Sequence, residues 1–147
     1  MNKNSNIDIL NEYMANLKVL NNNLYNLHFN IVGESFFGLH KKLQDYYEKL
    51  ALMYDNTAER IKMLNGMPFT SLREIEDIST IKSMKSMNFN GKQVLEVLDN
   101  DFTFMKDYTK DLISYYGKEN DYYTVSMLEN NLCFFEKELW MIKTSLI

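Results

Sequence analysis

The chain has 147 residues, 46% of them hydrophobic, and this length suits a single domain, residues 1–147, with a core of its own. A formal net charge of −4 gives no indication of a polyanionic partner. No apolar run approaches about 18 residues, Met1–Asp8 lacks a signal-peptide pattern, and the single Cys133 fits a reducing compartment. We therefore expect a soluble, cytoplasmic protein without a membrane segment.

Two long helices are predicted in the first half of the chain. Apolar residues recur at steps of three and four over Ile7–Val32, which is typical of a bundle helix. Gly33 is the predicted left-handed C-cap, and Ser35 is the predicted N-cap of the next helix. The second helix should span about Phe36–Leu64 and end at Asn65-Gly66.

A short helix is predicted within the mixed stretch that follows. It should lie in Ser71–Ile81, with Ser71 as its cap and Glu74 completing a capping box. The rest of the connection up to Asn90 carries no clear periodicity.

Two further long helices are predicted in the second half. The third should start after Asn90-Gly91, run to about Tyr116 and stop at Gly117, and the fourth should be capped by Asp121 and run to about Ser145. Four long helices with a long connection in the middle predict an all-α, antiparallel four-helix bundle with one interposed short helix.

The two histidines of the chain occupy equivalent places about the first turn. His28 lies six residues before Glu34 and His40 six residues after it, so an antiparallel hairpin places them at the same height. Equal height is what a shared metal ion requires. The alternative interpretation is two partly buried core histidines.

The second helix carries a row of polar residues at steps of four and seven, which occupy one arc of its surface: His40, Gln44, Glu48, Asp55 and Glu59. A solvated face is the alternative interpretation. Within one helix, His40 and Glu59 are about 28 Å apart and cannot bind one ion. Two antiparallel copies, however, would place His40 opposite the partner's Glu59 and Gln44 opposite the partner's Asp55. Such an isologous contact predicts two mixed nitrogen and oxygen sites, suited to iron or zinc.

A di-iron site inside one bundle is improbable, because it needs Glu-x-x-His pairs. Tyr25 precedes His28 by three residues, and Phe37 precedes His40 by three residues.

The residues around the histidines resemble a known family, the Dps mini-ferritins. The segments that carry the resemblance are His28-Phe29-Asn30, Gly33, Phe36-Phe37, Leu39-His40 and Asp55-x-x-x-Glu59-Arg60, with the short middle helix and Leu139-Trp140-Met141 in support. The resemblance implies a tetrahedral dodecamer with ferroxidase sites at two-fold interfaces. His28 and His40 would come from one subunit, and Asp55 and Glu59 from its neighbour. Ferrous iron would be oxidised there, preferably by hydrogen peroxide, and stored as ferric mineral, which limits hydroxyl-radical formation.

The chain departs from the family pattern at two positions. Gln44 stands where the family usually has an aspartate, and the adjacent Asp45 is turned about 100° around the helix. Phe29 stands where a redox-active tryptophan is common. The first departure removes a charged ligand, and the second removes a side chain that could donate electrons.

The resemblance also implies two further roles, the lining of iron-entry pores and the binding of DNA. Asp121 and Glu129 are candidates for the iron-entry pores, although Asp121 is equally well explained as a helix cap. Before the first helix, Lys3 is the sole basic residue, and no basic extension follows Ile147, so we expect weak or no DNA binding. The competing functions are a metal-binding or structural shell disabled by Gln44, and a DNA-compacting nucleoid protein.

Overall fold

The computed structural model describes residues 5–147, and the chain divides into two compact units, one up to Asn90 and one from Gly91. No regular strand occurs among these described residues, and none of their helices is long and apolar enough to cross a membrane. The five helices are α1 (Asn6–Asn30), α2 (Phe36–Met63), α3 (Leu72–Ile78), α4 (Gly91–Lys118) and α5 (Tyr122–Ser145). Lys3, the basic residue of the predicted N-terminal segment, lies outside the described residues.

Helices α1 and α2 form an antiparallel hairpin in the first unit. Ser5 caps α1 by accepting hydrogen bonds from the amides of Ile7 and Asp8. Asn21 Nδ2 donates to the Tyr47 carbonyl oxygen across the hairpin, at 2.7 Å. The apolar stripe of α1 is completely buried at its leucines, which include Leu17, Leu20, Leu24 and Leu27. Each such side chain contributes about 2 kcal/mol through its removal from water.

The turn between α1 and α2 differs from the prediction at both ends. α1 stops at Asn30 rather than Val32, because the backbone leaves the helix to pair with Phe89: the Val32 amide donates to the Phe89 carbonyl at 2.8 Å. Gly33 has a positive φ of 102°, as predicted, but it lies in the turn beyond the helix end. Ser35 occupies the predicted N-cap position of α2, but its side chain makes no cap hydrogen bond.

The C-terminal end of α2 falls where the sequence indicated. Asn65 takes the left-handed conformation, with a φ of 64°, directly after the last turn. A Cβ atom on Gly66 would lie 2.7 Å from Ile7 Cδ1, so a larger residue at this position would force the Ile7 side chain to move.

The connection from α2 to α4 contains the short helix α3. Ser71 caps it, with Ser71 Oγ accepting from the Glu74 amide at 3.5 Å. The helix ends at Ile78, three residues before the predicted limit, and Ile75 is its buried residue.

Asparagine side chains of α1 bind the backbone of this connection. Each side-chain amide satisfies peptide groups that no helix or sheet satisfies, and each such hydrogen bond contributes about 1 kcal/mol. The pairs are Asn11 with Met67 and Phe69, Asn16 with Thr80 and Ile81, Asn23 with Lys82 and Met84, and Asn26 with Lys85.

The second unit is the antiparallel pair of α4 and α5. Phe102 packs edge-on against Phe135, with ring centroids 5.3 Å apart, and Lys143 Nζ lies 2.7 Å from Asp99 Oδ1. α4 continues through Gly117 to Lys118, so the predicted stop at Gly117 was wrong. Asn120, with a φ of 58°, makes the reversal instead, since asparagine tolerates the left-handed region.

Candidate metal centre

The two histidines meet across the α1–α2 hairpin. Their imidazole rings are stacked, with centroids 3.7 Å apart and planes inclined by 14°. The predicted equal height is confirmed. Each side chain also binds the other residue's backbone: His28 Nδ1 lies 2.6 Å from the His40 carbonyl oxygen, and His40 Nδ1 lies 2.7 Å from the His28 carbonyl oxygen.

These reciprocal hydrogen bonds determine the tautomer of both rings. A carbonyl oxygen only accepts, so each Nδ1 must carry the proton and donate it. In the neutral imidazole the lone pair then resides on Nε2. This arrangement is common in metal-binding histidines, whose ring nitrogen away from the metal donates to a carboxylate, a backbone carbonyl or water.

Burial keeps His28 neutral. The residue is 5% exposed, and desolvation lowers the pKa of its imidazole below the usual 6.5. The hydrogen bond to the His40 backbone opposes this shift, and the nearby imidazole of His40 adds to it. A neutral ring is the form that binds a metal.

Aromatic rings surround the histidine pair. Phe36 stacks on His40 at 4.7 Å, and Tyr47 meets His28 edge-on at 5.2 Å. Tyr25 stacks in turn on Tyr47, with centroids 4.0 Å apart and planes inclined by 24°. The sequence did not predict these contacts, because ring stacking depends on side-chain rotation, which helical periodicity does not encode.

Phe29, at the position of the usual tryptophan, also contacts His28. Its ring centroid lies 5.2 Å from that of the imidazole, and 67% of the residue is exposed.

The carboxylates of α2 lie apart from the histidines. Asp55 and Glu59 are exposed on the same helix, and among residues 5–147 no group of three or more His, Cys, Asp or Glu side chains could hold a metal ion. One chain therefore presents the imidazoles and the carboxylates as separate surfaces.

The remaining candidates on α2 have partners of their own. Gln44 Nε2 donates to Glu48 Oε1 at 2.9 Å, which leaves the Gln44 amide oxygen as an acceptor. Asp45 lies 3.7 Å from Lys41 Nζ in an exposed ion pair, an interaction that contributes little.

The pore candidates differ in role. Asp121 caps α5: Oδ1 accepts from the Thr124 amide at 3.1 Å, and Oδ2 accepts from the Thr124 hydroxyl at 2.6 Å. Its capping role is thus confirmed. Glu129 is exposed on α5.

Comparison with known proteins extends over nearly the whole chain. Residues 7–146 match the model of the ferritin-like domain. A "DNA protection during starvation protein" of Helicobacter pylori is 30% identical over 139 residues, covering 95% of this chain and 96% of that protein. The crystal structure of Dps from Staphylococcus aureus has a TM-score of 0.91 and 29% identity, covering 96% of this chain and 94% of that one.

A Dps protein from Vibrio cholerae O1 also has a similar structure. This Dps protein is described as a member of a broad superfamily of ferritin-like diiron-carboxylate proteins. Its structure has a TM-score of 0.92 and 28% identity, covering 96% of this chain and 88% of that one. The matches confirm the predicted fold class, the ferritin-like four-helix bundle with a short helix in the middle connection.

Proposed function

Because this chain belongs to the Dps family of ferritin-like proteins, we propose that it binds ferrous iron at sites shared between subunits, oxidises it with hydrogen peroxide and stores the ferric product in a hollow shell. Iron is the substrate and cargo of this reaction. The consumption of iron together with peroxide would protect the cell from oxidative damage.

The observation that carries the proposal is the histidine pair. Two buried or half-buried imidazoles present Nε2 lone pairs at one height, with both rings oriented by backbone carbonyls. Nitrogen ligands held in this way suit first-row divalent metals, iron among them and zinc as a competitor.

The carboxylate half of the site comes from a second copy in this proposal. Asp55 and Glu59 are exposed on α2 and stand in the symmetric positions that an isologous two-fold contact brings opposite Gln44 and His40. Two carboxylates would balance the charge of a divalent ion, which the neutral histidines leave uncompensated.

The test is a peroxide-driven oxidation assay. Anaerobic protein is mixed with ferrous iron, peroxide is added, and ferric absorbance is followed in time. We expect rapid oxidation in the natural protein and a rate close to that of free iron in a His28→Ala, His40→Ala double variant of the same assembly mass. Equal rates in the two proteins would overturn the proposal. A shell that binds iron without oxidising it would support the alternative of a site disabled by Gln44.

DNA compaction is the second candidate, and the Helicobacter pylori relative is named for the protection of DNA during starvation. The net charge of −4 argues against it, because phosphate binding requires several neutralised contacts. We expect plasmid to migrate freely on a gel beside the protein at physiological salt. A retarded complex that survives such salt would favour the DNA-compacting function.

A further inference from the structure

A parallel bridge to Phe89 ends α1 at Asn30, although the apolar pattern of the helix extends to Val32. The Val32 amide donates to the Phe89 carbonyl at 2.8 Å, and the Phe89 amide donates to the Asn30 carbonyl at 3.1 Å. Ile31 between them is extended, with a φ of −66° and a ψ of 138°. Two backbone hydrogen bonds therefore hold the chain in an extended conformation directly after the helical turn that carries His28.

The bridge determines which donor binds the His28 carbonyl oxygen. If α1 continued as a helix, the Val32 amide would donate to this oxygen, since each helical carbonyl accepts from the fourth residue onward. In the described part of the chain no backbone amide donates to it, because the Val32 amide binds Phe89. The oxygen accepts the hydrogen bond from His40 Nδ1, at 2.7 Å. A carbonyl that the helix end leaves without an intrahelical donor thus orients a histidine.

We propose that Phe89 is a positioning residue for His40. By ending α1 early, its backbone leaves the His28 carbonyl to accept from His40 Nδ1, and this hydrogen bond keeps the proton off His40 Nε2. The inference rests on the proposed function and deepens it, because Nε2 is the nitrogen that would bind the metal ion. Loss of such a hydrogen bond behind a metal-binding histidine typically lowers metal affinity by about 10- to 100-fold.

The two histidines depend on Phe89 to different degrees. His28 Nδ1 donates to the His40 carbonyl oxygen, which lies inside α2 and away from the helix end that the bridge determines. The acceptor for His40 lies in the last turn of α1, next to the bridge. Loss of the bridge should therefore release the tautomer of His40 and preserve that of His28.

Phe89 is anchored by its side chain and by neighbouring hydrogen bonds. The residue is 5% exposed, so its side chain contributes to the core. Asn26 Nδ2 donates to the Lys85 carbonyl at 3.0 Å, and Asn30 Nδ2 donates to Asn26 Oδ1 at 2.8 Å. These bonds hold the connection along the last turns of α1. Truncation of the Phe89 side chain should weaken the bridge while the connection stays beside the helix.

NMR of the histidine nitrogens in the metal-free, assembled protein tests the inference. The chain has two histidines, so selective isotope labelling shows two imidazoles, and His28→Ala assigns the remaining one to His40. At about pH 8, where imidazole is neutral, the chemical shifts show which ring nitrogen carries the proton. We expect Nδ1 of both rings to carry it in the natural protein. In Phe89→Ala, His40 should show both tautomers and His28 should keep its proton on Nδ1.

A second substitution separates the helix end from general loosening. Val32→Pro added to Phe89→Ala removes the competing amide and disfavours a helical conformation at the preceding residue, so α1 should end early again. The proton should then return to Nδ1 of His40. Zinc affinity, measured by calorimetry, should fall about tenfold in Phe89→Ala and recover in the double variant. Ile75→Ala removes a side chain that is 2% exposed from the same connection and should leave both tautomers unchanged.

An unchanged His40 tautomer in assembled Phe89→Ala would overturn the inference, and so would a change that Val32→Pro does not reverse. If the alanine variant does not assemble, Phe89→Leu replaces it, with the same changes expected at smaller amplitude. The tautomer measurement needs no iron and no peroxide. Absence of peroxide-driven oxidation in the natural protein would therefore overturn the proposed function and leave the measured position of the His40 proton as it is.

Discussion

His28 and His40 hold each other in place through their backbones. Each Nδ1 binds the other residue's carbonyl oxygen, at 2.6 and 2.7 Å. Because both acceptors are backbone atoms, either imidazole keeps its orienting hydrogen bond when the other side chain is removed. Replacement of one histidine therefore removes one proposed ligand and one stacked ring, while the remaining imidazole keeps its orientation.

This property makes a complementation experiment possible. His28→Ala and Asp55→Ala should each slow fast iron oxidation by at least about tenfold, since each removes a proposed ligand. Shells assembled from a mixture of the two variants should regain part of the rate. Some interfaces would then pair an intact histidine side with an intact carboxylate side.

The control is a mixture of His28→Ala with His40→Ala, both of which damage the histidine side. Each of its interfaces retains full carboxylates, yet no site recovers both imidazoles. Mixed shells of His28→Ala and Asp55→Ala that oxidise iron no faster than this control would contradict a site shared between subunits.

Gln44 offers a gain-of-function test. Gln44→Asp should bind ferrous iron more tightly, by roughly an order of magnitude, because a carboxylate compensates the charge of the ion. Initial oxidation should be faster as well. Anaerobic calorimetry and stopped-flow absorbance measure the two effects.

Gln44→Asn is the matched control, because it shortens the side chain equally and adds no charge. If the aspartate variant binds iron no better than the asparagine variant, Gln44 is not at the metal or Asp45 already supplies the charge. Gln44→Asp combined with Asp45→Asn separates these two explanations.

The proposed assembly has a definite mass. Twelve chains of 17.5 kDa give a shell of about 210 kDa, which light scattering measures directly. We expect that mass at micromolar concentration, because the separate imidazole and carboxylate surfaces of one chain require a partner. A mass of one or two chains would exclude the dodecamer. A mass of one chain would also exclude a site shared between subunits.

The buried carboxyl group of Asp101 on α4 should make the free energy of unfolding depend on pH. Burial raises the pKa of its carboxyl from 3.8 to about 6. The folded state thus binds the proton more tightly than the unfolded state. The resulting stabilisation is complete below the unfolded pKa and is lost as the pH rises through about 6. Asp101→Asn should raise the free energy of unfolding at pH 7 by up to about 3 kcal/mol and leave it nearly unchanged below about pH 4.

Denaturant unfolding of the metal-free protein at the two pH values measures this difference. Asp111→Asn, at an exposed position of the same helix, is the control and should change little at either pH. A gain for Asp101→Asn that is the same at both pH values would show that ionisation is not its cause.

The sequence predicted features that depend on local periodicity and on symmetry about a turn. The equal height of His28 and His40 follows from their distances to Glu34 in an antiparallel hairpin, and Asp121 caps α5 through the amide three residues later. The helix end at Asn30 could not be predicted, because its cause is Phe89, far along the chain. Gly117 was a reasonable helix stop, but Asn120 took the left-handed position instead.

The site shows the same division. The residue types and their spacing indicated where imidazoles and carboxylates lie. The same spacing and the family resemblance predict that two chains combine them, and this stays a prediction. The tautomer of the histidines depends on side-chain rotation and backbone carbonyls, which periodicity does not encode. The stacked contact of Tyr25 on Tyr47 was hidden for the same reason.

The asparagines of α1 have a consequence for the dynamics of the connection between α2 and α4. The amides of Phe69, Thr80, Ile81 and Met84 donate to asparagine oxygens rather than to a helix or sheet ladder. Hydrogen exchange at these amides requires that the bond to α1 opens. They should therefore exchange slowly, at rates set by α1. The irregular connection would then be protected from hydrogen exchange as well as α1 is. Exchange at its amides would measure how often the α1–α2 hairpin, which carries the histidines, opens.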